Sequence, residues 1–184
     1  MLNTYPGMTV EVGKIEKGSS RVLFDGVFAA GGITLSQISV MTGLEPYLIQ
    51  NWVKRGFVTS PVKRLYSRKQ FARIVIINML KESLQIDKIC TLIKIIGGNP
   101  NDESDDLISD DELYHRYVDM LAESEVNPLN AESVAEAALL AAAECEERIP
   151  NSKKQLMHIF EVMVYAHAAA TLRKKADEIF STLQ

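Results

Sequence analysis

Tyr47, Gln50, Asn51 and Lys54 recur at i, i+3, i+4 and i+7, so a helix carrying them presents a phenol, two carboxamides and an ammonium along one side. A carboxamide offers a donor and an acceptor side by side, the pattern that pairs with an adenine edge in the major groove. Lys reaches guanine or phosphate, and a phenol hydroxyl holds the backbone. A solvated helix face would carry similar residues, and what distinguishes this one is its neighbourhood. The segment Thr59 to Ser67 holds a turn-forming Pro61, the adjacent cations Lys63 and Arg64, then Leu65 and Tyr66. Arg55 adds a cation at the end of the helix.

The elements needed to position these groups are legible nearby. Leu35, Ile38 and Met41 sit at helical spacing behind Thr34, a suitable N-cap, and Gly43 falls where a helix end wants positive φ. Pro46 suits the first position of a second helix, whose Leu48, Ile49, Trp52 and Val53 turn inward, and Gly56 marks its far end. The stretch Thr34 to Arg73 thus reads as a helix-turn-helix followed by a short basic hairpin. Ser67 then caps a longer helix rich in Phe71, Ile74, Val75, Ile77 and Leu80, and a further helix covers about Asp87 to Ile96, stopped by Gly97-Gly98.

Charge divides along the chain. Thr34 to Gly98 holds 10 Lys plus Arg against 3 Asp plus Glu, whereas Asn99 to Gln184 holds 7 against 18, within a net charge of -4. A basic head on an acidic body is the electrostatic footprint of a nucleic-acid binder, since phosphate neutralisation supplies most sequence-independent affinity. A hydrophobic content of 47% with 24% charged residues over 184 residues excludes wholesale disorder and allows a sizeable core. No apolar run approaches the roughly 20 residues that cross a bilayer, and the start lacks a basic and apolar leader, so a cytoplasmic location without membrane contact is expected. Cys90 and Cys145 are far apart and read as reduced thiols.

Outside the head, residues 1–23 contain Pro6, Gly7, Gly13 and Gly18 and read as a loose arm or small hairpin, one that can grip a dimer mate or DNA. Leu23 to Ala30 is a short apolar helix ended by Gly31-Gly32. Asp102, Glu103, Asp105, Asp106, Asp110 and Asp111 crowd residues 99–112; without the glycine and ligand alternation of an EF-hand they read as a solvated acidic linker rather than a cation site. Residues 113–184 are a helical dimerisation or effector region. One stripe runs through Leu113, Tyr117, Met120 and Leu121, an Ala-rich helix follows Asn130, and Ser152 caps the longest helix. There Val162, Tyr165, Ala169, Leu172, Ala176, Ile179 and Leu183 alternate by 3 and 4 as a heptad seam, while Leu156, Phe160, Met163 and His167 form a second stripe. Two stripes require two neighbours, the Ala-rich helix and the matching helix of a second subunit.

Catalytic sets are missing from the pattern. His115, His158 and His167 do not share a metal-ligand spacing, and neither a nucleophile elbow nor a His-Glu-x-x-His helix occurs. A non-enzymatic protein with no metal or cofactor is expected. Tyr114, Tyr117, Met157, Phe160, Met163 and Tyr165 are candidates for lining a small-molecule effector pocket in the tail, with bundle core as the default reading.

The order TG, Pro46, Trp52, Arg55-Gly56, Pro61 and KRLYS at 63–67 resembles the winged helix-turn-helix of MerR-type bacterial regulators, and more closely a bacterial family of uncharacterised MerR-like proteins, over roughly residues 24–118. The resemblance implies a mainly α fold with a small β-hairpin wing, residues 24–98 forming the DNA-binding domain. It places Ser36 and Gln37 near phosphate, Tyr47, Gln50, Asn51 and Lys54 in the major groove, and Lys63, Arg64 and Tyr66 in the wing. Where such proteins usually carry Ser before the Pro and an Arg-Tyr-Tyr run, this chain has Glu45, Gln50, Asn51 and Trp52. The expected function is a dimeric, sequence-specific DNA-binding transcription regulator. A DNA-architectural or excisionase-like protein and a helical protein–protein adaptor are the alternatives.

Overall fold

A computed structural model of the chain describes residues 3–97 and 106–183. Along them run β1 (Asn3–Thr4), β2 (Glu11–Val12), α1 (Ser19–Val27), α2 (Leu35–Thr42), α3 (Pro46–Lys54), α4 (Arg68–Leu80), α5 (Ile86–Ile96), α6 (Asp110–Glu123), α7 (Ala131–Ala143) and α8 (Ser152–Ser181). The architecture is mainly helical, with β1 and β2 paired antiparallel in the register Asn3 to Val12 and Thr4 to Glu11.

The α4 helix explains the arrangement. Phe71, Ala72, Ile74, Val75, Ile76, Ile77, Met79 and Leu80 are all buried, so it is apolar nearly all round and must be enclosed on every side. Its neighbours are α2, α6 and α8. Phe24 from α1 joins the same centre, its ring centroid 5.2 Å from Phe71 and 5.7 Å from Tyr114. One hydrophobic core therefore runs from the N-terminal residues through α8, and the expected head and body share it instead of packing separately.

In three segments the structure decides between sequence readings or departs from them. Of the two readings of the N-terminal residues, the small hairpin is the one found, β1 pairing with β2, and it is packed rather than loose: Tyr5 and Met8 are buried, the Tyr114 hydroxyl donates to Pro6 O at 2.9 Å, and the Asn78 amide donates to Gly7 O at 2.9 Å. Of the expected acidic linker, Asp102, Glu103 and Asp105 lie outside the described residues. The remainder is packed, because Leu107 and Ile108 are apolar enough to bury and Asp110 finds a cation, Arg73 Nε donating to it at 2.9 Å. Burial raises the Asp110 pKa, and the Arg73 charge opposes that rise. The wing amounts to two isolated bridges, Val62 with Leu65 and Ile33 with Tyr66, and the regular sheet lies at the N-terminus.

Polar contacts fasten α1 across α6. Arg21 pairs with Asp119 and Glu112, the Gly18 N–H donates to Asp119 at 2.7 Å, and Ser20 Oγ lies 2.9 Å from His115 Nδ1. The Ala-rich sequence of α7 allows the close approach expected of it: Val134, Ala137, Ala138, Ala141 and Ala142 are buried and the helix packs on α8. The α8 helix begins at Ser152, which is buried, with Asn151 rather than Ser152 in the N-cap position.

Candidate functional site

The local geometry follows from capping chemistry. Thr34 caps α2 through a capping box with Gln37, Gly43 takes φ 69° at its end, and Pro46 opens α3 after Glu45, whose side chain makes no cap bond. Ile49 and Trp52 are buried in the core, and this fixes the opposite side of α3 outward. Tyr47, Gln50, Asn51 and Lys54 are accordingly exposed, and neither α8 nor any other described element covers them. The prolyl N1 matters because its missing N–H removes one of the orphan donors at a helix start that lacks a side-chain cap.

Beside α3 the chain returns through a two-residue hairpin. Val62 and Leu65 exchange both backbone hydrogen bonds, at 2.9 and 3.1 Å, around Lys63 at φ 50° and Arg64 at φ 66°. Two consecutive left-handed residues closed by such a pair form a type I′ turn, a geometry that usually selects Asn-Gly. Lys and Arg there hold their charges at the tip of a fixed loop. The hairpin is anchored to the core by the Ile33–Tyr66 bridge, in which Ile33 N–H donates to Tyr66 O at 3.0 Å and Tyr66 N–H donates to Ile33 O at 2.7 Å. Gly32 permits that approach, since a Cβ there would come within 2.8 Å of Leu65 Cβ.

Between α2, α3 and the hairpin lies a groove of about 480 Å³, lined by Thr34, Ser36, Gln50, Arg64 and the apolar Leu35, Val53, Pro61 and Tyr66. Gln50 of α3 and Arg64 of the hairpin thus face one opening. Cations differ in their commitment: Arg68 pairs with Asp25 and Arg73 with Asp110, whereas among the described residues no carboxylate pairs with Lys54, Lys63 or Arg64. Of these three, Arg64 lines the groove and Lys63 precedes it at the hairpin tip.

Not every expected residue joins this surface. Tyr66 is 4% exposed and forms part of the groove's buried wall, and burial raises its pKa; it supports the hairpin instead of extending from it. Arg55 stacks on Phe57 at 4.5 Å and faces a different cleft, with Cys90 and Lys94. Ser36 is exposed at the groove. Gln37 is exposed too, but its carboxamide oxygen accepts the Thr34 N–H at 2.8 Å in the cap. The Thr34–Gln37 spacing is the capping-box signature and was the signal for this second role.

On α8 Val162, Tyr165, Ala169, Leu172, Ala176, Ile179 and Leu183 are all exposed, while Leu156, Phe160 and Met163 are buried and His167 is half-buried. The two stripes on α8 therefore have different fates, one packed within the chain and one open. Of the residues read as candidates for a tail pocket, Tyr114, Phe160 and Met163 fill the core, Met157 packs half-buried against it and Tyr165 is exposed; Tyr117 borders a cleft with His167. Among the described residues no helix is long and apolar enough to cross a membrane, and no three His, Cys, Asp or Glu side chains form a metal-binding group.

Residues 32–117 match a family described as a domain of unknown function, DUF1836. The match begins beside the groove at Gly32, spans α2 to α5 and ends within α6, leaving α7 and α8 outside it. No curated protein and no solved structure matches the chain.

Proposed function

We propose that this protein is a sequence-specific DNA-binding transcription regulator that acts as a homodimer, with α2 and α3 as a helix-turn-helix of the MerR-like kind and the Lys63–Arg64 hairpin as its wing. The observation that carries this reading is the shared groove: the carboxamide-bearing side of α3 and a rigid cationic hairpin tip open on the same surface. Asn51 and Gln50 read bases, Lys54 reaches guanine or phosphate, and Lys63 and Arg64 neutralise the backbone. The open seam of α8 pairs two copies, so a palindromic operator is expected.

Selection of bound fragments from random duplex DNA tests the proposal. A recurrent palindromic sequence is expected, with Asn51→Ala relaxing the preference and Lys63→Ala/Arg64→Ala weakening binding to all sequences while flattening the salt dependence by about 1 log unit per lost phosphate contact. No retention of any duplex at low salt overturns it. A second reading, an adaptor that docks a protein segment in the groove, is favoured by the apolar walls Leu35, Val53, Pro61 and Tyr66 and by Glu45 at the start of α3. Binding of a partner protein that is insensitive to salt, with no DNA retained, selects that reading.

A further inference from the structure

The last third of α8 has little apolar company within the chain. Every residue from 171 to 183 is exposed, and a helical stretch of that length is marginal in water without packing. It carries Leu172, Ile179, Phe180 and Leu183. Three of these belong to the open seam. Phe180 lies on the seam's edge instead, at steps of seven from Arg173 and Ala166, each of which follows a seam residue by one.

That edge has a direction. Ala166 is buried, and Arg173 Nη1 donates to Glu82 O at 2.8 Å, so the edge faces the turn between α4 and α5. Beside it a groove of about 460 Å³ runs between α5 and α8, with Leu84, Leu92, Ile95 and Val162 as apolar walls and Lys88 at its rim. Val162 is both a groove wall and the first seam residue, so groove and seam form one continuous apolar surface.

The seam is symmetric about Leu172. Turned end for end on a second copy, Val162 meets Leu183, Tyr165 meets Ile179, and Ala169 meets Ala176, where two small side chains let the helices approach. Parallel pairing satisfies the seam as well, and it is the edges that separate the two orientations. In a parallel pair each edge meets the opposite edge of the other helix, which leaves Phe180 beside Lys175 and the groove empty. When the helices run opposite ways like edges meet, and Phe180 of the second copy comes level with Ala166, over the groove. A cavity of about 150 Å³ holds benzene, so the groove has room for a phenyl ring. Asp177, one turn before Phe180, then reaches the rim that carries Lys88; among the described residues neither forms an ion pair within its own chain.

We infer that two copies of this chain pair antiparallel through α8, each inserting Phe180 into the groove between α5 and α8 of the other. The inference rests on the homodimer of the proposed function and adds to it an orientation and a second contact surface. Because α5 lies within the family-matched residues 32–117 and α8 does not, the pairing ties the tail of each copy to the domain of the other.

Disulfide trapping on the full chain carrying Cys90→Ser tests the orientation. Leu172→Cys lies at the centre of symmetry and cross-links to its own copy in either orientation, so it reports the seam dimer alone. Antiparallel pairing sets the two copies of residue 169 about 10 Å apart along the axis, beyond disulfide reach. Ala169→Cys and Ala176→Cys are therefore expected to stay unlinked singly and to form a mixed disulfide once the two variants exchange subunits. Phe180→Ala and Ile95→Glu, both at exposed positions, are each expected to raise the dimer dissociation constant in sedimentation about a hundredfold, tenfold at each of two equivalent contacts. Self-linking of Ala169→Cys or Ala176→Cys, or unchanged dissociation of Phe180→Ala, overturns the inference and leaves the homodimer standing. Failure of Leu172→Cys to cross-link overturns the seam dimer itself, and the inference with it.

Discussion

Replacing Lys63-Arg64 by Asn-Gly separates the cost of the hairpin tip from its use. A non-glycine residue in the left-handed region costs about 1–2 kcal/mol, and Lys63 and Arg64 occupy it at φ 50° and 66°. Asn tolerates the conformation and Gly adopts it freely, although Gly returns about 0.4–1 kcal/mol as extra entropy of the unfolded chain. The double substitution is therefore expected to stabilise the fold by about 1–2 kcal/mol, an increase of about 2–8 °C in Tm for a chain of this size. Both side chains are exposed and pair with no carboxylate among the described residues, so their removal subtracts no packing. Affinity for a random-sequence duplex is expected to fall in the same variant, with a salt slope shallower by about 2 log units for two lost phosphate contacts. Calorimetric melting and fluorescence anisotropy read the two effects. A Tm that stays level or drops refutes the strain argument; a raised Tm with unchanged DNA affinity refutes the placement of this tip on DNA.

Gly7→Ala is expected to destabilise by more than about 2 kcal/mol in urea unfolding, because a Cβ there would lie 2.4 Å from Val75 O on a backbone at φ 72°. A neutral result would mean that the N-terminal residues are not part of the core. His115 is held near a pKa of about 4 by burial against a usual 6.5. Its unfolded form binds the proton first, so the stability it contributes is whole above the unfolded pKa and is lost as pH falls through the interval toward the folded one. Wild type is expected to lose about 2 kcal/mol from this group between about pH 7.5 and about pH 5, a loss that His115→Gln removes from the pH profile. Tyr66→Phe is expected to leave DNA affinity unchanged, since that ring is in the core, and a tenfold loss would place its hydroxyl on DNA after all. Leu172→Glu/Ile179→Glu alters two residues exposed by 60% and 56%, and sedimentation is expected to show folded monomers. A persistent dimer would remove α8 from the interface.

Local signals carried much of this molecule. Thr34 with Gln37, Ser67 with Gln70, Gly43 and Pro46 each satisfy or spare backbone groups within a few residues of themselves, so α2, α3 and α4 were legible from spacing alone. The outward face of α3 was legible for the same reason, because the burial of Ile49 and Trp52 fixes it by helical period. The two stripes of α8 could also be separated by period, although which one packed inside the chain could not.

Other features depend on partners distant in the chain. Tyr66 looked like a wing residue until Ile33, 33 residues earlier, paired with it and fixed it against the core. The N-terminal residues read as either a loose arm or a small hairpin, because the anchors that hold the hairpin down, Asn78 and Tyr114, lie 71 and 108 residues away. The sequence by itself determined α2, α3 and α4, the caps at Thr34 and Ser67 and the exposed chemistry of α3, since those follow from contacts within one or two turns. Only the tertiary structure decided that head and body share one core around α4, that Asp110 is a half-buried partner of Arg73, and that Gln50 and Arg64 face one groove, because each depends on which surfaces meet when the largely apolar α4 is enclosed.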